Sequence, residues 1–379
     1  MGKMKVLHPC WVEIDLSAVL ANLRTTKRII GRKVRLCYVV KANCYGYGLE
    51  EIVSACKEEP AIHMFGVASV SEGRKLRELG VKKPIIVFRN PFSWEIEEYG
   101  KYDLILTLSD FETLKYIEKN KIRMKAHIKL DTGLGRIGFL PEHLALLRTQ
   151  LRKTSSVEIE GIYSHFATSY AKNKEAVEKQ LALFLSEVQY LEEGIGEIGL
   201  KHIASSNAAI SYPDSRLDMV RVGGAIYNQT DKRFAGVFSF KAKANFVKRV
   251  RRGAKMGYGW SYEARKDETI VTLPVGHGDG LIPFLGNEVG EVLVRGERCP
   301  IVGRIFMDCA MVSLRKDLRV SKGDEAVIIG KQGKEEIKLR EIFEKLGHWN
   351  IIGNCLGDRV PRVYFCRGRI KKIINKGEN

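Results

Sequence analysis

A lysine with unusual surroundings stands near the N-terminal end of the sequence. Lys41 directly follows the apolar run LCYVV and precedes ANCYGYG. Lysine is seldom buried without a partner or a chemical task, and a desolvated lysine has a lowered pKa and can form a Schiff base with a carbonyl group. A lysine whose ammonium group reaches solvent at a strand end would fit the same run. The run by itself leaves both interpretations open.

Two further apolar runs end in side chains that bind anions or move protons. HIKLDTGLGRIGF alternates Lys129 and Asp131 with apolar residues and then places Arg136 behind a glycine-rich turn. A guanidinium group at that point can clamp a carboxylate or a phenolate. GIYSHFA ends an apolar run at His165. A lone histidine of this kind is more often structural than catalytic, so it decides little.

Two later motifs are suited to phosphate. HIASSNAAI places Ser206 where a helix should begin, which suits helix capping and phosphate binding equally. DMVRVGGAIY supplies Arg221 and then Gly223 and Gly224, whose backbone amides can approach a phosphate closely. None of these motifs is decisive alone.

The elements that must position these side chains are short apolar runs, each separated from the next by a stretch of helical periodicity. The eight runs are Val34–Lys41, Met64–Ala68, Pro84–Phe88, Leu104–Leu108, Ala126–Leu130, Ile159–His165, Lys201–Ser205 and Met219–Gly223. Near-continuous apolar strands alternating with helices are typical of a parallel sheet buried on both faces. Eight of them predict a (β/α)8 barrel of the TIM type, whose active residues lie at the C-terminal ends of the strands.

The pattern changes after about residue 229. From there the sequence holds many short β-type segments divided by glycine, aspartate and charged turns, which predicts a mainly antiparallel β-domain. We therefore predict two domains, a barrel over residues 1–235 and a C-terminal β-domain over residues 236–379. The early run Trp11–Ile14 fits either the bottom of the barrel or a strand paired with the second domain.

The net charge invites the hypothesis of a nucleic-acid partner. The 379 residues include 63 Lys and Arg against 45 Asp and Glu, a formal charge of +18. The basic residues are scattered, however, and their denser runs lack interleaved aromatic residues or a nucleic-acid-binding module. We expect no nucleic-acid partner, and attribute the charge to a solvated surface or to attraction of anionic ligands such as a phosphate cofactor.

Cysteine and histidine spacing argues against metal and disulfide frameworks. The eight cysteines form no C-x-x-C pair and the eight histidines no H-x-x-x-H pair. The N-terminus lacks the apolar core of a signal peptide, and no stretch of 18 apolar residues occurs. We expect reduced thiols, a cytoplasmic location, no metal and no membrane partner.

Taken in order, the motifs resemble those of one family from residue 11 to about 365. They are WVEIDL, VVKANCYGYG, KLDTGLGRIGF, YSHFATS, HIASSNAAI, DMVRVGGAIY, MGYGWSY, PVGHGDG, GRIFMD and DRVPRVY. This order is similar to that of the alanine racemases, which are fold-type III enzymes dependent on pyridoxal 5'-phosphate. The lysine motif alone is also similar to that of single-domain pyridoxal-phosphate barrels, and the second domain removes that ambiguity.

The resemblance implies a racemase acting on alanine and serving D-alanine biosynthesis for cell-wall peptidoglycan. It implies that Lys41 binds the cofactor covalently and is the base on one face of the substrate α-carbon. Tyr258, in MGYGWSY, is then the acid/base of the opposite face, supplied by the partner in a head-to-tail homodimer. Racemisation needs two such groups, because one takes the α-proton and the other returns a proton from the far side.

The resemblance also assigns roles to the remaining motif residues. Arg221 would face the pyridine nitrogen of the cofactor, and His165 would bridge Tyr258 and Arg221. The phosphate would be held by Tyr45, Ser206, Gly223 and Gly224. Arg136 and Met307 match contacts to the substrate carboxylate and to the phenolate, and Lys129 matches a lysine whose carbamylated form holds Arg136.

Two positions depart from the family pattern. Asp358, in GDRVPR, stands where the family usually has a tyrosine that reaches the phosphate and narrows the pocket. His277, in PVGHGDG, replaces a tyrosine of the entry corridor. We expect Asp358 to point into the substrate pocket or toward an arginine. Both changes remove aromatic bulk, so acceptance of serine, lysine or ornithine is an alternative to strict alanine specificity.

Two other functions compete with racemisation. An amino-acid decarboxylase shares the architecture but is expected to place an acidic residue at the pyridine nitrogen, where this sequence has Arg221. A non-catalytic pyridoxal-phosphate carrier would have neither the second domain nor Tyr258.

Overall fold

A computed structural model describes residues 6, 8–170, 173–227, 231–315, 318–347 and 351–375. The predicted domain limits at residues 1 and 379 lie outside the described residues. The first elements are β1 (Cys10–Asp15) and α1 (Leu16–Ile30). Strands and helices then alternate: β2 (Arg35–Val39), α2 (Lys41–Tyr45), α3 (Leu49–Cys56), β3 (Met64–Val67), α4 (Val70–Glu78), β4 (Ile85–Val87), α5 (Ile96–Lys101), β5 (Leu106–Leu108), α6 (Phe111–Asn120), β6 (Met124–Lys129), α7 (Leu144–Leu151), β7 (Val157–Tyr163), α8 (Lys174–Ile195), β8 (Leu200–His202), α9 (Ser206–Ser211), β9 (Met219–Val222) and α10 (Gly224–Tyr227).

Strands β2 to β9 form a closed parallel barrel. They pair as two four-stranded sheets, in the orders β4-β3-β2-β9 and β5-β6-β7-β8. One seam is closed by the amide of Val87, which donates to the carbonyl of Ile105 at 3.0 Å, and the other by the amide of Arg221, which donates to the carbonyl of Ala204 at 3.0 Å. The predicted eight-stranded barrel is therefore confirmed.

The barrel strands form where the sequence is apolar, because both of their faces are covered. Every residue of β3, β4, β5 and β9 is buried. Polar residues mark the helix starts instead: the carboxylate of Asp110 accepts from the amide of Thr113 at 2.7 Å and caps α6. The alternation of apolar strand and capped helix sets the strand ends, and with them the positions of the polar side chains that follow.

The C-terminal segment is built mainly from antiparallel strands, as predicted. Its elements are β10 (Phe238–Lys243), β11 (Phe246–Val250), β12 (Lys255–Met256), β13 (Tyr262–Glu263), β14 (Glu268–Leu273), β15 (Glu291–Val294), β16 (Glu297–Val302), β17 (Ala310–Ser313), β18 (Glu325–Gln332), β19 (Glu335–Ile337), α11 (Leu339–Leu346), α12 (Ile351–Cys355), β20 (Arg362–Cys366) and β21 (Arg369–Ile374). The large sheet has the order β11-β14-β17-β16-β15-β18-β10-β1-β20-β21, with β19 paired to β18. Among its pairs only β1 and β20 are parallel.

The early run Trp11–Ile14 belongs to this sheet and not to the barrel. As part of β1 it pairs antiparallel with β10 and parallel with β20. The chain accordingly divides into two compact units. The β unit comprises Met1–Ala21, Tyr45–Glu51 and Ile226–Asn379, and the barrel unit comprises Asn22–Cys44 and Ile52–Ala225. The domain limit at residues 235 and 236 stays a prediction.

Among the described helices, none combines the length and the apolar composition needed to cross a lipid bilayer.

Gly161 tests the packing of the barrel interior. A Cβ at this position of β7 would lie 2.7 Å from the carbonyl oxygen of Leu200 and 2.8 Å from the ring of His127. We expect Gly161→Ala to lower the free energy of unfolding by about 1–3 kcal/mol, because backbone and ring must shift to admit the methyl group. Urea unfolding followed by tryptophan fluorescence measures the difference.

Gly100→Ala is the matched control. Gly100 lies in α5, and a Cβ there would meet only the Met124 methyl carbon at 3.7 Å, an ordinary contact. Alanine also favours the helix more than glycine does. A Gly161→Ala variant as stable as Gly100→Ala would contradict the close packing of β7 against His127.

Candidate active site

Lys41 and Arg136 open into one cavity at the C-terminal ends of the barrel strands. The cavity has a volume of about 740 Å³. Lys41 enters it directly after β2, and Arg136 enters it from the loop that follows β6. The structure therefore brings together a candidate cofactor lysine and a candidate carboxylate clamp that are far apart in the sequence.

The amine of Lys41 is easier to deprotonate than an ordinary lysine. Its pKa is lowered mainly by burial, and further by the positive charges of Arg136 and Arg221, while Glu72 acts in the opposite direction. The neutral form of an amine is the nucleophile. The surroundings of Lys41 therefore favour Schiff-base formation over the alternative of a solvated lysine at a strand end.

Arg221 is a buried cation of the site. It is 5% exposed. One terminal nitrogen donates to the carbonyl oxygen and the Nδ1 of His202, and the other donates to Ser164 O at 2.7 Å and to the Nδ1 of His165 at 3.1 Å. Burial lowers its pKa to about 10, so the guanidinium stays charged at neutral pH. None of the described hydrogen bonds uses its Nε–H, which leaves that donor for a ligand.

The protonation state of His165 follows from this contact. A guanidinium can only donate, so Nδ1 of His165 accepts and its proton is on Nε2. Burial, followed by the charge of Arg221, lowers the pKa of His165 to about 2. The ring is therefore neutral and offers one N–H donor.

Behind Arg221 lies a buried chain of histidines that the motifs did not indicate. Arg221 donates to Nδ1 of His202 at 2.7 Å, so the proton of His202 is on Nε2, which donates to Nδ1 of His127 at 2.8 Å. Both rings are fully buried. The sequence could have indicated them by position, because His127 lies two residues before Lys129 and His202 lies three residues before Ser205. His202 bonds the guanidinium directly, and His127 in turn bonds His202.

Tyr163 supports the same group from the side. Its ring stacks on His202 with centroids 4.8 Å apart, and the Arg221 guanidinium carbon lies 5.1 Å from its centroid. Its hydroxyl bonds Thr107, whose own hydroxyl donates to the carbonyl of Val87. Tyr163 is thus held in the barrel interior by hydrogen bonds to Thr107 and, through it, to the backbone of β4.

Three of the four predicted phosphate residues, Ser206, Gly223 and Gly224, lie at the ends of β8 and β9, whereas Tyr45 follows β2. The hydroxyl oxygen of Ser206 accepts from the amide of Gly223 at 3.2 Å and from that of Ala225 at 3.3 Å, on either side of Gly224. The buried hydroxyl of Ser205 has no partner among the described residues. A buried, unpaired hydroxyl next to Ser206 in the chain fits a site built for an anion that completes its hydrogen bonds.

Lys129 is buried and close to neutral. It is 1% exposed, and burial together with the charge of Arg221 lowers its pKa to about 7. The neighbouring Asp131 holds the loop in front of it: although burial acts to raise the pKa of this carboxyl, backbone amides including those of Gly135 and Arg136 lower it. Asp131 therefore anchors the loop that carries Arg136.

Tyr258 and four further predicted residues, Tyr45, His277, Met307 and Asp358, lie in the β unit. Tyr258 begins a short turn, Tyr258–Trp260, after Gly257, whose φ is +81°. Its side chain is 66% exposed, and its ring lies 4.9 Å from that of Phe306. The next residue, Met307, is 60% exposed. Tyr258 and Met307 are thus both exposed on the surface of this unit, and Phe306, the neighbour of Met307 in the chain, packs against Tyr258.

Arg359 joins the loops that carry His277, Met307 and Asp358. It donates to Asp279 at 2.7 Å, in the turn that begins at His277, and to Asp308 at 2.6 Å, next to Met307. The amide of Gly278 also donates to the carbonyl of Met307 at 2.9 Å. Asp358 itself is exposed and takes part in none of the described ion pairs. The sequence analysis singled out Asp358 and did not identify the adjacent Arg359 as the residue that joins these loops.

Tyr45 also lies in the β unit, where its ring packs against that of Tyr227 with centroids 5.6 Å apart.

One grouping of side chains has the composition of a metal site. The ligand atoms of His8, Cys10 and Asp279 lie within 4.8 Å of one another. Both oxygens of Asp279 are already used, one by Arg359 and the other by the amide of Gly276. The positive charge of Arg359 beside this carboxylate disfavours a cation there, and we assign the grouping a structural role.

Comparison with known proteins covers both units. Residues 14–231 match the family model described as alanine racemase, N-terminal domain, and residues 237–364 match that described as alanine racemase, C-terminal domain. An alanine racemase of Methanococcus maripaludis is 36% identical over 373 residues, which cover 95% of this chain and 99% of that protein.

Solved structures agree with these matches. The alanine racemase of Clostridium difficile superimposes with a TM-score of 0.88 at 30% identity, covering 98% of this chain and 99% of that one. A Bartonella henselae alanine racemase with covalently bound pyridoxal phosphate has a TM-score of 0.86 at 26% identity, covering 94% and 99%.

The buried histidines predict how stability depends on pH. Burial lowers the pKa of His127 to about 3 and that of His202 well below its ordinary value. Unfolded histidines take up a proton near pH 6.5, so below that pH the unfolded state binds more protons and stability falls. Each buried ring should contribute a loss of about 1.4 kcal/mol per pH unit between about pH 6 and pH 4.

The variant His127→Gln isolates one of these contributions. Its amide oxygen can accept from His202 but does not titrate, so the loss of unfolding free energy per pH unit should be smaller by about 1.4 kcal/mol. Urea unfolding at pH 7, 6, 5 and 4 measures both slopes, and the pH 7 values correct for altered packing. Equal slopes would show that His127 is charged in the folded protein.

Proposed function

This chain belongs to the alanine racemase family, and we propose that it interconverts L- and D-alanine, using pyridoxal 5'-phosphate bound to Lys41. The observation that carries the proposal is a lysine with a lowered pKa in the same barrel mouth as a buried, permanently charged Arg221. When bound, the cofactor withdraws electrons from the substrate α-carbon and weakens its bond to hydrogen. The chain's own residues must then remove and return the proton.

The described residues fit the cofactor. Lys41 supplies the amine, and the hydroxyl groups of Ser205 and Ser206 supply donors for a phosphate. The amides that flank Gly224 donate to the Ser206 oxygen and so hold its O–H free for that role. The Nε–H of Arg221 is the donor available to the pyridine nitrogen. Because arginine does not give up its proton, Arg221 would donate to that nitrogen without protonating it. The weaker electron withdrawal that results would favour return of the proton to the α-carbon over its misplacement.

We assign the two proton-transfer roles to Lys41 and Tyr258. Lys41 serves one face of the α-carbon, and Tyr258 of the partner subunit serves the other. In support, the Tyr258 side chain is 66% exposed, as expected of a group presented to a second copy of the chain. The Nε2–H of His165 is the donor that would stabilise the phenolate, the form of Tyr258 that accepts a proton. The head-to-tail homodimer is part of this proposal.

Arg136 and Lys129 complete the substrate side. Arg136 lies in the cavity with Lys41, where its guanidinium can bind the substrate carboxylate. At a pKa of about 7, much of Lys129 is neutral at physiological pH. A neutral amine is the form that reacts with carbon dioxide, so carbamylation would turn a buried cation into an anion beside Arg136.

Family membership and the cysteines support a proposal for the location and the pathway. All eight cysteines lie among the described residues and none forms a disulfide, which is typical of a reducing compartment. We propose a cytoplasmic enzyme that supplies D-alanine for peptidoglycan.

Mixing inactive subunits tests the two-subunit site. Lys41→Ala should lose the visible absorbance of the lysine-bound cofactor, and both Lys41→Ala and Tyr258→Phe should lose nearly all racemisation, followed as optical rotation of L-alanine. If the two residues meet across subunits, a heterodimer has one intact site, and an equimolar, re-equilibrated mixture regains roughly a quarter of wild-type activity.

Each variant alone, carried through the same re-equilibration, is the control. A mixture no more active than its components would show that both residues of a site come from one chain. Retention of the cofactor absorbance in Lys41→Ala would remove the lysine from its assigned role.

Asp358 and His277 support a second candidate, a racemase of broader specificity. Asp358 is exposed beside Arg359, which is already committed to Asp279 and Asp308, so its charge is available to a substrate ammonium group. We expect wild-type enzyme to turn over serine or lysine, and Asp358→Tyr to lower kcat/KM for them roughly 10-fold relative to alanine.

Asp358→Asn separates charge from width, because it removes the carboxylate and keeps the space. Loss of lysine turnover alone in Asp358→Asn would indicate charge pairing, whereas a loss only in Asp358→Tyr would indicate width. Unchanged selectivity in both variants would leave alanine as the substrate.

A further inference from the structure

The chain after Lys41 takes a conformation that side chains normally avoid. Ala42, Asn43, Cys44 and Tyr45 have φ angles of +51°, +54°, +53° and +58°. In this left-handed region the Cβ of an L-residue comes too close to the following carbonyl oxygen. Four consecutive residues without a glycine therefore need outside contacts to keep the turn, and through it the backbone that carries the Lys41 amine.

Two hydrogen bonds within the barrel unit hold the start of this turn. The amide of Cys44 donates to the carbonyl of Val40 at 3.0 Å, which is a contact within the turn. The amide of Ala42, the residue next to Lys41, donates to the carboxylate of Glu72 at 2.6 Å. Glu72 is thus a contact to the turn from another element, the helix α4.

Glu72 reaches Ala42 by a modification of an ordinary helix cap. The sequence SVSE places Ser69 and Glu72 three residues apart, the spacing of a capping box. Ser69 accepts from the amide of Glu72 at 3.3 Å, as in that motif. The carboxylate, however, bonds the amide of Ala68, one residue before the cap, at 2.7 Å through Oε2. Its other oxygen is then free to bond Ala42.

Both oxygens of Glu72 therefore join the C-terminal ends of two neighbouring strands. Ala68 follows β3 and Ala42 follows β2. Hydrogen bonds from backbone amides to a carboxylate are charge-assisted and stronger than those to a neutral acceptor. The strand that carries Lys41 is by this means tied to its neighbour at the residue where the left-handed turn begins.

We propose that Glu72 is a positioning residue, which holds the left-handed turn after Lys41 and so fixes the direction of the lysine amine in the cavity. The inference rests on the proposed role of Lys41 as the cofactor lysine.

Glu72 also contributes the negative charge that offsets its cationic surroundings. The groups that act on Lys41 are Arg136 from the loop after β6, Arg221 from β9, Glu72 from α4, and His165, which is itself affected by the Lys41 charge. Of these only Glu72 raises the pKa of Lys41. Removing the charge of Glu72 should lower the pKa of the free Lys41 amine. Shortening the Glu72 side chain while keeping its charge should not.

Three variants separate reach, charge and helix capping. Glu72→Asp keeps the charge but is one methylene shorter, so it cannot bond both amides. Glu72→Gln keeps the length but removes the charge and turns an NH2 group toward one of the donors. Ser69→Ala removes the helix cap and leaves Glu72 unchanged, which makes it the control for a purely structural effect.

Two measurements are compared across these variants. The first is kcat and KM for alanine in the holoenzyme. The second is the pH midpoint for modification of Lys41 by an amine-reactive reagent in the cofactor-free enzyme, read by mass spectrometry of the Lys41 peptide. This second measurement does not depend on racemisation.

We expect Glu72→Asp and Glu72→Gln to lose roughly 10- to 100-fold in kcat, because a displaced reacting group costs about that much, with KM changed less. The labelling midpoint should fall by roughly 0.5–1 pH unit in Glu72→Gln and stay near wild type in Glu72→Asp. Ser69→Ala should lower the melting temperature without either effect.

The proposal is overturned if both Glu72 variants match Ser69→Ala in kcat and in the labelling midpoint. If the wild-type enzyme itself fails to racemise alanine, the proposed function fails instead, and the labelling midpoint alone then decides whether Glu72 acts on Lys41.

Discussion

The burial of one permanent charge, the guanidinium of Arg221, constrains the whole barrel mouth. A charge removed from water is tolerated only where hydrogen bonds replace the lost solvent. Here carbonyl oxygens of Ser164, His202 and Ile203 accept from it, together with two histidine rings. These carbonyls follow or end β7 and β8, so the site depends on the register of the barrel strands. A shift of either strand by one residue would remove the acceptors that this strand supplies.

That charge also sets the protonation of its neighbours. After burial itself, Arg221 is the largest influence that lowers the pKa of His165, His202 and Lys129. The rings are therefore neutral and the lysine is nearly so. Around Lys41, Arg136 and Arg221 are positively charged and His165 is neutral. Such a pocket suits a ligand that brings its own negative charges, as a cofactor phosphate and a substrate carboxylate do.

Local sequence patterns predicted the strands and the motif residues, because both depend on residues near one another in the chain. The apolar runs preceded the reactive side chains, and the structure places them as barrel strands. The bond from His202 to His127 spans 75 residues and that from Arg359 to Asp279 spans 80. No local pattern specifies such pairs. Glu72 was not predicted for a related reason. Its spacing from Ser69 indicates a helix cap and gives no sign of the bond to Ala42, 30 residues earlier in the chain.

The two groups of functional residues are held by different physical means. Lys41 and Arg221 directly follow or lie within barrel strands, where packing on both faces leaves little freedom for substitution. His277, Met307 and Asp358 lie on loops that one exposed arginine, Arg359, ties together through two carboxylates. Substitutions at His277 and Asp358 leave these two ion pairs in place, because Arg359 bonds Asp279 and Asp308 and neither of the two substituted residues. The departures from the family pattern, Asp358 and His277, occur on these loops, which carry neither Lys41 nor Tyr258, the residues to which we assign proton transfer. Under that assignment, a change of substrate selectivity at these two positions leaves the proton-transferring residues in place.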